Sequence, residues 1–173
     1  MARREREVTL RFLAEPTDVN FGGKVHGGAV MKWIDQAGYA CAAGWSGQYC
    51  VTVYVSGIGF RRPVPIGNMV EVHAKLIYTG KTSMHIAVDV SAGDPKGYLY
   101  AQTTHCIIVF VAVDDKGAPV EIERWEPETE EDVALEQYAK RLVELRKGIE
   151  EEMSPHKRVT QLNSSTAQHP CRT

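Results

Sequence analysis

The chain has 173 residues, enough for one domain with a substantial core. Charged residues make up 24% of it and hydrophobic residues 43%, as in ordinary globular proteins. The formal net charge of -2 gives no general attraction to nucleic acid or to an anionic membrane. The basic N-terminus lacks the apolar region of a secretory signal, and no apolar run reaches the ~20 residues of a membrane helix. We therefore expect a cytoplasmic protein without a nucleic acid or membrane partner.

The predicted elements begin with a strand over residues 8–14, where polar and apolar residues alternate weakly. A polar, glycine-rich loop follows. Residues 26–43 are predicted to form a helix, because an apolar stripe recurs at helical spacing through Val30, Ile34, Ala37 and Cys41, and Trp33 widens it. A turn rich in Gly and Ser ends the helix. Four strand-like runs separated by turn residues come next, over residues 50–60, 69–79, 83–92 and 99–113.

This order of elements predicts an α+β fold, in which a curved antiparallel sheet wraps around one long helix. The open edge of such a sheet needs a cover, which favours a homodimer. Residues 1–127 are assigned to this domain. Residues 128–153 are assigned to a charged amphipathic helix that starts with a cap and acids in its first turn. Residues 154–173 are polar and aperiodic, and we expect them to form a flexible tail.

The cysteines and histidines show no metal-ligand spacing. Three cysteines are expected to be buried free thiols, namely Cys41, Cys50 and Cys106. Three histidines lie on separate predicted strands, namely His73, His85 and His105. We therefore expect no metal site.

Residues 16–35, PTDVNFGGKVHGGAVMKWID, carry the main chemical signal. Asp35 lies four residues after Met31 and seven after Gly28, so the three share one face of the predicted helix. The helix start offers unpaired backbone N–H groups and the positive end of the helix dipole, and Gly27 and Gly28 leave it unobstructed. A carbonyl oxygen could bind there while Asp35 acts on the carbonyl carbon, directly or through water. A structural acid beside a tight turn is the alternative.

His26 stands at the start of the predicted helix. Histidine is the usual general base near neutral pH, but the helix dipole disfavours its charged form at this end. A structural or carbonyl-orienting role is therefore favoured. The surrounding GKVHGGAVMK lacks the Lys-Ser/Thr ending of a P-loop, which argues against nucleotide binding.

The segment PTDVNFGGKVHGGAVMKWIDQAG resembles the signature of the hotdog-fold acyl-CoA thioesterases, in the group of cytosolic brain-type acyl-CoA hydrolases and their bacterial relatives. The pattern P-x-D-x-N-x-x-G-x-x-x-G-G-x-x-M-x-x-x-D is present in full. The likeness continues through VTVYVSGIGFRRPVPIGN, YTGKTSMHIAVDV and FVAVDDKG, and it covers residues 8–117. The resemblance implies a hotdog fold, hydrolysis of fatty acyl-CoA to fatty acid and CoA, and a homohexamer built as a trimer of dimers.

The resemblance also implies roles for individual residues. Asp35 corresponds to the catalytic acid on the helix, and Asn20 to a loop amide contributed by the opposite subunit. His26, Gly27 and Gly28 match the segment whose backbone N–H groups polarise the thioester carbonyl. CoA carries phosphates, so the candidates to contact this part of the substrate are Arg61, Arg62, Lys81, Thr82 and Ser83; ordinary turn residues are the alternative. The acyl chain is expected to pass Met31, Trp33 and Ile58, and no cofactor is expected beyond the CoA of the substrate itself.

Two alternatives stay open at this point. One is a hotdog-fold lyase, such as an enoyl-CoA hydratase or an acyl-carrier-protein dehydratase, in which His26 would be catalytic. The other is an acyl-CoA sensor that binds the thioester without cleaving it and contacts a partner through its C-terminal helix or tail.

Overall fold

The computed structural model describes residues 4–166 and the side chains of residues 4–154. The elements in chain order are β1 (Glu7–Leu13), a short 3-10 turn (Pro16–Asp18), α1 (Gly27–Ser46), β2 (Tyr49–Val55), β3 (Gly59–Phe60), β4 (Met69–Thr79), β5 (Ser83–Gly93), β6 (Ala101–Val113) and α2 (Glu130–Thr166). No helix in this part of the chain is long and apolar enough to cross a membrane.

The strands form one antiparallel sheet in the order β1-β4-β5-β6-β2, and the short β3 pairs with β6 beyond the end of β2. Every second residue of the central strands is buried against α1, as the period of a strand requires; examples are Val72, Leu76, Val88, Ile108 and Phe110. The stripe predicted on α1 is buried against this face. The predicted α+β fold, an antiparallel sheet with one long helix, is therefore confirmed.

The approach of α1 to the sheet is closest at Gly38. A Cβ atom there would lie 2.8 Å from Cε2 of Phe110 and 2.9 Å from Cγ2 of Ile108. Only a residue without a side chain fits so near the strand. The three predicted thiols are buried and free in this core, and burial raises the pKa of Cys41 and of Cys106 to about 12, so both stay protonated.

Several element boundaries differ from the sequence prediction. The run over residues 50–60 is two strands rather than one, because the chain leaves the ladder at Ser56, whose hydroxyl accepts a hydrogen bond from the N–H of Ile107 at 2.8 Å. The helix α1 continues through Gly44, which was predicted to belong to the terminating turn. The helix continues because Trp45 still packs in the core. It ends at Ser46, and the C-cap is Gly47, whose φ of 66° suits glycine.

The helix α2 covers the opposite face of the sheet. A small apolar cluster joins Ala139 of α2 to Ile77, Ala87 and Ile107 of three neighbouring strands. At the start of α2, the buried carboxylate of Asp132 forms an ion pair with the guanidinium of Arg6, the residue that directly precedes β1. Burial alone would raise the pKa of Asp132, but hydrogen bonds from Arg6 and from the Glu128 N–H hold it below its ordinary value.

The C-terminal helix is present, but it is longer than the segment 128–153 assigned to it. It runs to Thr166, so part of the predicted tail is helical. Once a helix has formed, each added residue gains one backbone hydrogen bond. The helix can therefore continue into a segment that has no apolar stripe. The rest of the predicted tail, residues 167–173, lies outside the described residues.

Candidate active site

The start of α1 is held in place by the loop before it. The N–H of His26 donates to the carbonyl of Asp18 at 2.9 Å, and the N–H of Val25 donates to the carbonyl of Val64 at 3.0 Å. His26 is the N-cap, and its Nδ1 accepts a hydrogen bond from the N–H of Ala29 at 3.0 Å. The imidazole is therefore engaged in capping, which fits the structural role rather than that of a general base.

Gly27 and Gly28 form the first turn of α1, and both are exposed. No group in the described part of the chain accepts a hydrogen bond from their N–H groups. These donors, together with the positive end of the helix dipole, make the helix start a site for an oxygen atom that carries negative charge. The geometry is the one that the sequence predicted.

The loop residues Asp18 and Asn20 shape the turn. Oδ2 of Asp18 accepts a hydrogen bond from the N–H of Glu15 at 3.2 Å. Oδ1 of Asn20 accepts from the N–H of Gly22 at 2.8 Å and from the N–H of Lys24 at 3.1 Å. The amide oxygen of Asn20 is thus fixed to the backbone, while its NH₂ group is on an exposed side chain. No hydrogen bond joins Asn20 to Asp35 among the described side chains.

Asp35 lies on the exposed face of α1 that also carries Gly28 and Met31, as the helical spacing predicted. Its Oδ1 accepts a hydrogen bond of 2.6 Å from the Oγ1 of Thr52 on β2. A hydrogen bond to a carboxylate is short and strong, so Thr52 fixes the direction in which Asp35 points. Sequence reasoning missed Thr52. The available signal was one threonine inside the run CVTVYV, with nothing to indicate which helix residue its hydroxyl would meet.

A cavity of about 320 Å³ opens beside the start of α1. Its walls include Val30, Phe60 and Thr104, and Gly27 lies at its mouth. The ring of Phe60 covers Gly27 so closely that a Cβ there would lie 3.3 Å from the ring's Cζ. Arg61 also lines the cavity. An apolar pocket thus lies next to backbone donors and positive charge.

Comparison with known proteins places this geometry in a family. Residues 22–99 match the family model of the Thioesterase superfamily. Protein VdlD of Helicobacter pylori is 30% identical over 140 residues, which cover 81% of this chain and 80% of VdlD. Acyl-CoA thioester hydrolase YciA of Salmonella typhimurium is 37% identical over 117 residues, which cover 65% of this chain and 87% of YciA.

The chain belongs to the hotdog-fold acyl-CoA thioesterases. A solved structure agrees: an apo-hexameric acyl-CoA thioesterase superimposes with a TM-score of 0.78 and 29% identity, over 83% of this chain and 92% of the other. The predicted family and the predicted enzyme class, an acyl-CoA thioester hydrolase, are confirmed.

The basic residues expected to meet CoA fall into two places on the thioesterase. Arg61 and Arg62 lie at the cavity by the helix start, where the N–H of Arg61 donates to the carbonyl of Thr103 on β6. Ser83, the first residue of β5, instead pairs with Val111, which is also on β6. Eight residues of β6 separate these two positions, a span of about 27 Å. A single chain therefore does not bring the two sets together.

The turn residue Lys81 forms an exposed ion pair with an acid. Its Nζ lies 2.7 Å from an Oε1 of Glu121, and this hydrogen bond raises the pKa of Lys81. Thr82 and Ser83 use their backbone carbonyls to hold the ends of the turn, by accepting from the N–H groups of Ala112 and Gly80. No intrachain hydrogen bond occupies the hydroxyl of either residue among the described contacts.

The residues expected along the acyl chain divide in the same way. Met31 is exposed on the face of Asp35, as that role requires. Trp33 is buried in the core instead, with its ring 4.9 Å from that of Phe12, so it does not line a surface groove. No group of three or more His, Cys, Asp or Glu side chains within residues 4–154 is arranged to hold a metal ion.

Proposed function

We propose that this thioesterase hydrolyses fatty acyl-CoA to the free acid and CoA, with Asp35 as the general base or nucleophile. The observation that carries the proposal is the 2.6 Å hydrogen bond by which Thr52 directs the exposed Asp35 carboxylate. A carboxylate held by one hydroxyl and otherwise exposed is ready to act on a substrate that covers it.

The thioester carbonyl binds at the N–H groups of Gly27 and Gly28. These donors stabilise the negative charge that develops on the oxygen during attack. The carboxylate of Asp35 either removes a proton from the attacking water or attacks the carbonyl carbon itself, which gives a mixed anhydride that water then cleaves. The C–S bond breaks in either case and CoA leaves as a thiolate. Because a thiolate is a good leaving group, this scheme needs no metal and no bound cofactor.

The length of α1 argues for a site shared by two chains. Asp35 follows Gly28 by seven residues, so their Cα atoms are about 10 Å apart along the helix axis. The free N–H groups at a helix start point out of the helix end, so a carbonyl bound to them lies beyond Gly28, further from Asp35 than Gly28 itself and out of reach of the short Asp35 side chain of the same chain. We therefore assign the helix start and Asn20 of one subunit to the same site as Asp35 of the other.

The edge of the sheet supplies the surface for this dimer. The strand β2 is terminal in the sheet order, and it exposes Tyr49 and Val53 beside Thr52. Pairing of β2 with a second copy would continue the sheet and bring two Asp35–Thr52 pairs to the interface. Since a related thioesterase is hexameric, we propose a trimer of such dimers. In this assembly Lys81, Thr82 and Ser83 meet CoA from a neighbouring subunit, and Arg61 and Arg62 meet it from the subunit that holds the carbonyl.

The reaction class is tested by incubation with crotonyl-CoA and with saturated acyl-CoA of increasing length. We expect release of free thiol from the saturated substrates. Hydration of crotonyl-CoA without thiol release would support the lyase instead, although His26 is already used as the helix cap. Tight binding of every thioester without thiol release would support the sensor.

The shared site is tested by mixing two inactive variants. Asp35→Ala and Asn20→Ala protomers, each carrying a different affinity tag, are unfolded together, refolded and purified for hexamers that hold both, and the mixed dimers within them are counted by mass spectrometry. One of the two sites in each mixed dimer has an intact Asn20 and an intact Asp35, so we expect up to half of the wild-type activity per mixed dimer. Dimers of two Asp35→Ala chains, refolded in the same way, are the control. No recovery in verified mixed dimers would contradict the shared site.

A further inference from the structure

The strand β2 contains a bulge beside the residue that holds Asp35. Thr52 lies opposite Phe110 of β6, whereas Tyr54 lies opposite Val109, so Val53 is an extra residue in the ladder. Phe110 belongs to the core under α1, and Val109 lies on the face covered by α2. Residues opposite each other in an antiparallel pair share a face. Thr52 therefore points to α1 and Tyr54 points to α2. In a regular strand, two residues at positions i and i+2 would point to the same face.

The helix α2 fixes Tyr54 from the other side. The guanidinium carbon of Arg146 lies 4.1 Å from the centroid of the Tyr54 ring, within the range of a cation–π contact. Nε of Arg146 is held in turn by Oε1 of Glu150, one turn further along α2, at 2.6 Å. Tyr54 and Arg146 line a small cleft between β2 and α2 together with the buried His85.

We propose that Arg146 is a positioning residue for the active site: by holding Tyr54 against α2, it keeps the bulge at Val53 in place and so keeps Thr52 directed at Asp35. The proposal rests on the proposed role of Asp35. It gives the C-terminal helix a function in catalysis although α2 lies on the face of the sheet opposite to α1. The bulge carries the coupling, because a ladder without it would turn either Thr52 or Tyr54 to the other face.

Arg146→Ala is the direct test, with kcat and KM measured by thiol release. A cation–π contact at a partly exposed site changes an equilibrium by a factor of about three. We expect kcat to fall about threefold with KM unchanged, since substrate binding does not use α2. Arg146→Lys keeps a cation over the ring and should restore most of kcat. Arg141→Ala is the matched control, since Arg141 lies on the same helix and pairs only with Glu144, and its kcat should equal that of the wild type.

A second variant distinguishes loss of the contact between Tyr54 and Arg146 from unfolding of α2. Tyr54→Leu removes the aromatic face but leaves the pair between Arg146 and Glu150, and it should lower kcat as Arg146→Ala does. Tyr54→Phe keeps the face and should be unaffected. Size-exclusion chromatography and far-ultraviolet circular dichroism confirm that each variant keeps its assembly and helix content.

The decisive experiment repeats Arg146→Ala in a Thr52→Val background. If Arg146 acts through Thr52, the double variant has the kcat of Thr52→Val alone. A further threefold loss in the double variant, or an equal loss in Arg141→Ala, overturns the proposal while the role of Asp35 stands. Wild-type kcat in Thr52→Val alone has a different meaning: it removes the proposed role of Thr52 at the active site, and the coupling fails with it.

Discussion

Substitution of Gly38 by alanine tests how closely the sheet positions the catalytic helix. The new Cβ would meet Phe110 at 2.8 Å and Ile108 at 2.9 Å, closer than a carbon atom tolerates. Overpacking of this kind costs about 1–3 kcal/mol, and the better helix propensity of alanine offsets up to about 1 kcal/mol of it. We expect a net loss of about 1–2 kcal/mol in the free energy of unfolding.

Gly44→Ala is the matched control. Gly44 lies in the same helix, and no atom outside its own stretch of helix backbone lies within 4 Å of the position of its Cβ. This substitution should raise the stability by up to about 1 kcal/mol. Urea unfolding followed by tryptophan fluorescence, at one protein concentration, gives both values. Because Gly38 is one turn after Asp35, its variant should also lower kcat several-fold, whereas Gly44→Ala should not. Equal stability of the two variants would refute the tight packing described here.

Three further predictions concern single side chains. Thr52→Val removes the hydroxyl that donates to Asp35, so kcat should fall about 10- to 100-fold, with recovery in Thr52→Ser, because a hydrogen bond to a charged group contributes about 1.5–3 kcal/mol. Burial and the nearby Arg146 lower the pKa of His85 to about 4, so between pH 6.5 and 4 the unfolded chain binds a proton that the folded chain does not. Stability should therefore fall by about 3 kcal/mol as the pH drops through this window, and urea titrations of His85→Gln should show a correspondingly smaller fall. Asp132→Asn leaves Arg6 without its buried partner and should cost about 3 kcal/mol in the same assay, most clearly above the lowered pKa of Asp132, where the wild-type carboxylate is charged.

The sequence predicted the fold where local patterns are strong. The strand over residues 69–79 has the predicted bounds, because its alternation of half-buried and buried residues runs from Met69 to Leu76 and the irregularity at Ile77 does not end its pairing with β5. The apolar stripe of α1 was equally clear. The split of residues 50–60 into β2 and β3 was not, since Gly57 and Gly59 are compatible with a continuous run. Where the chain leaves the ladder depends on the hydrogen bonds that Ser56 makes to β6.

The site shows the same division between local and long-range signals. The glycines at the helix start and the face of Asp35 follow from helical spacing alone. Thr52 is separated from Asp35 by 17 positions, and their contact depends on the register of β2 against β6, which no periodicity reveals. The grouping of Arg61 with Lys81 came from the family resemblance, which carries no distances. Arg61 is bonded to Thr103 and Ser83 pairs with Val111, eight residues further along β6, so one chain holds the two groups about 27 Å apart.

The most direct test of the central claim is the turnover of Asp35→Asn. Asparagine keeps the shape of the side chain and still accepts a hydrogen bond from Thr52, but it can neither remove a proton nor attack the carbonyl as a carboxylate does. Release of free CoA from a saturated acyl-CoA is followed with a thiol reagent, and the oligomer is checked to be intact. We predict a kcat at least ~100-fold below wild type with KM little changed. A kcat within about threefold of the wild type would contradict it.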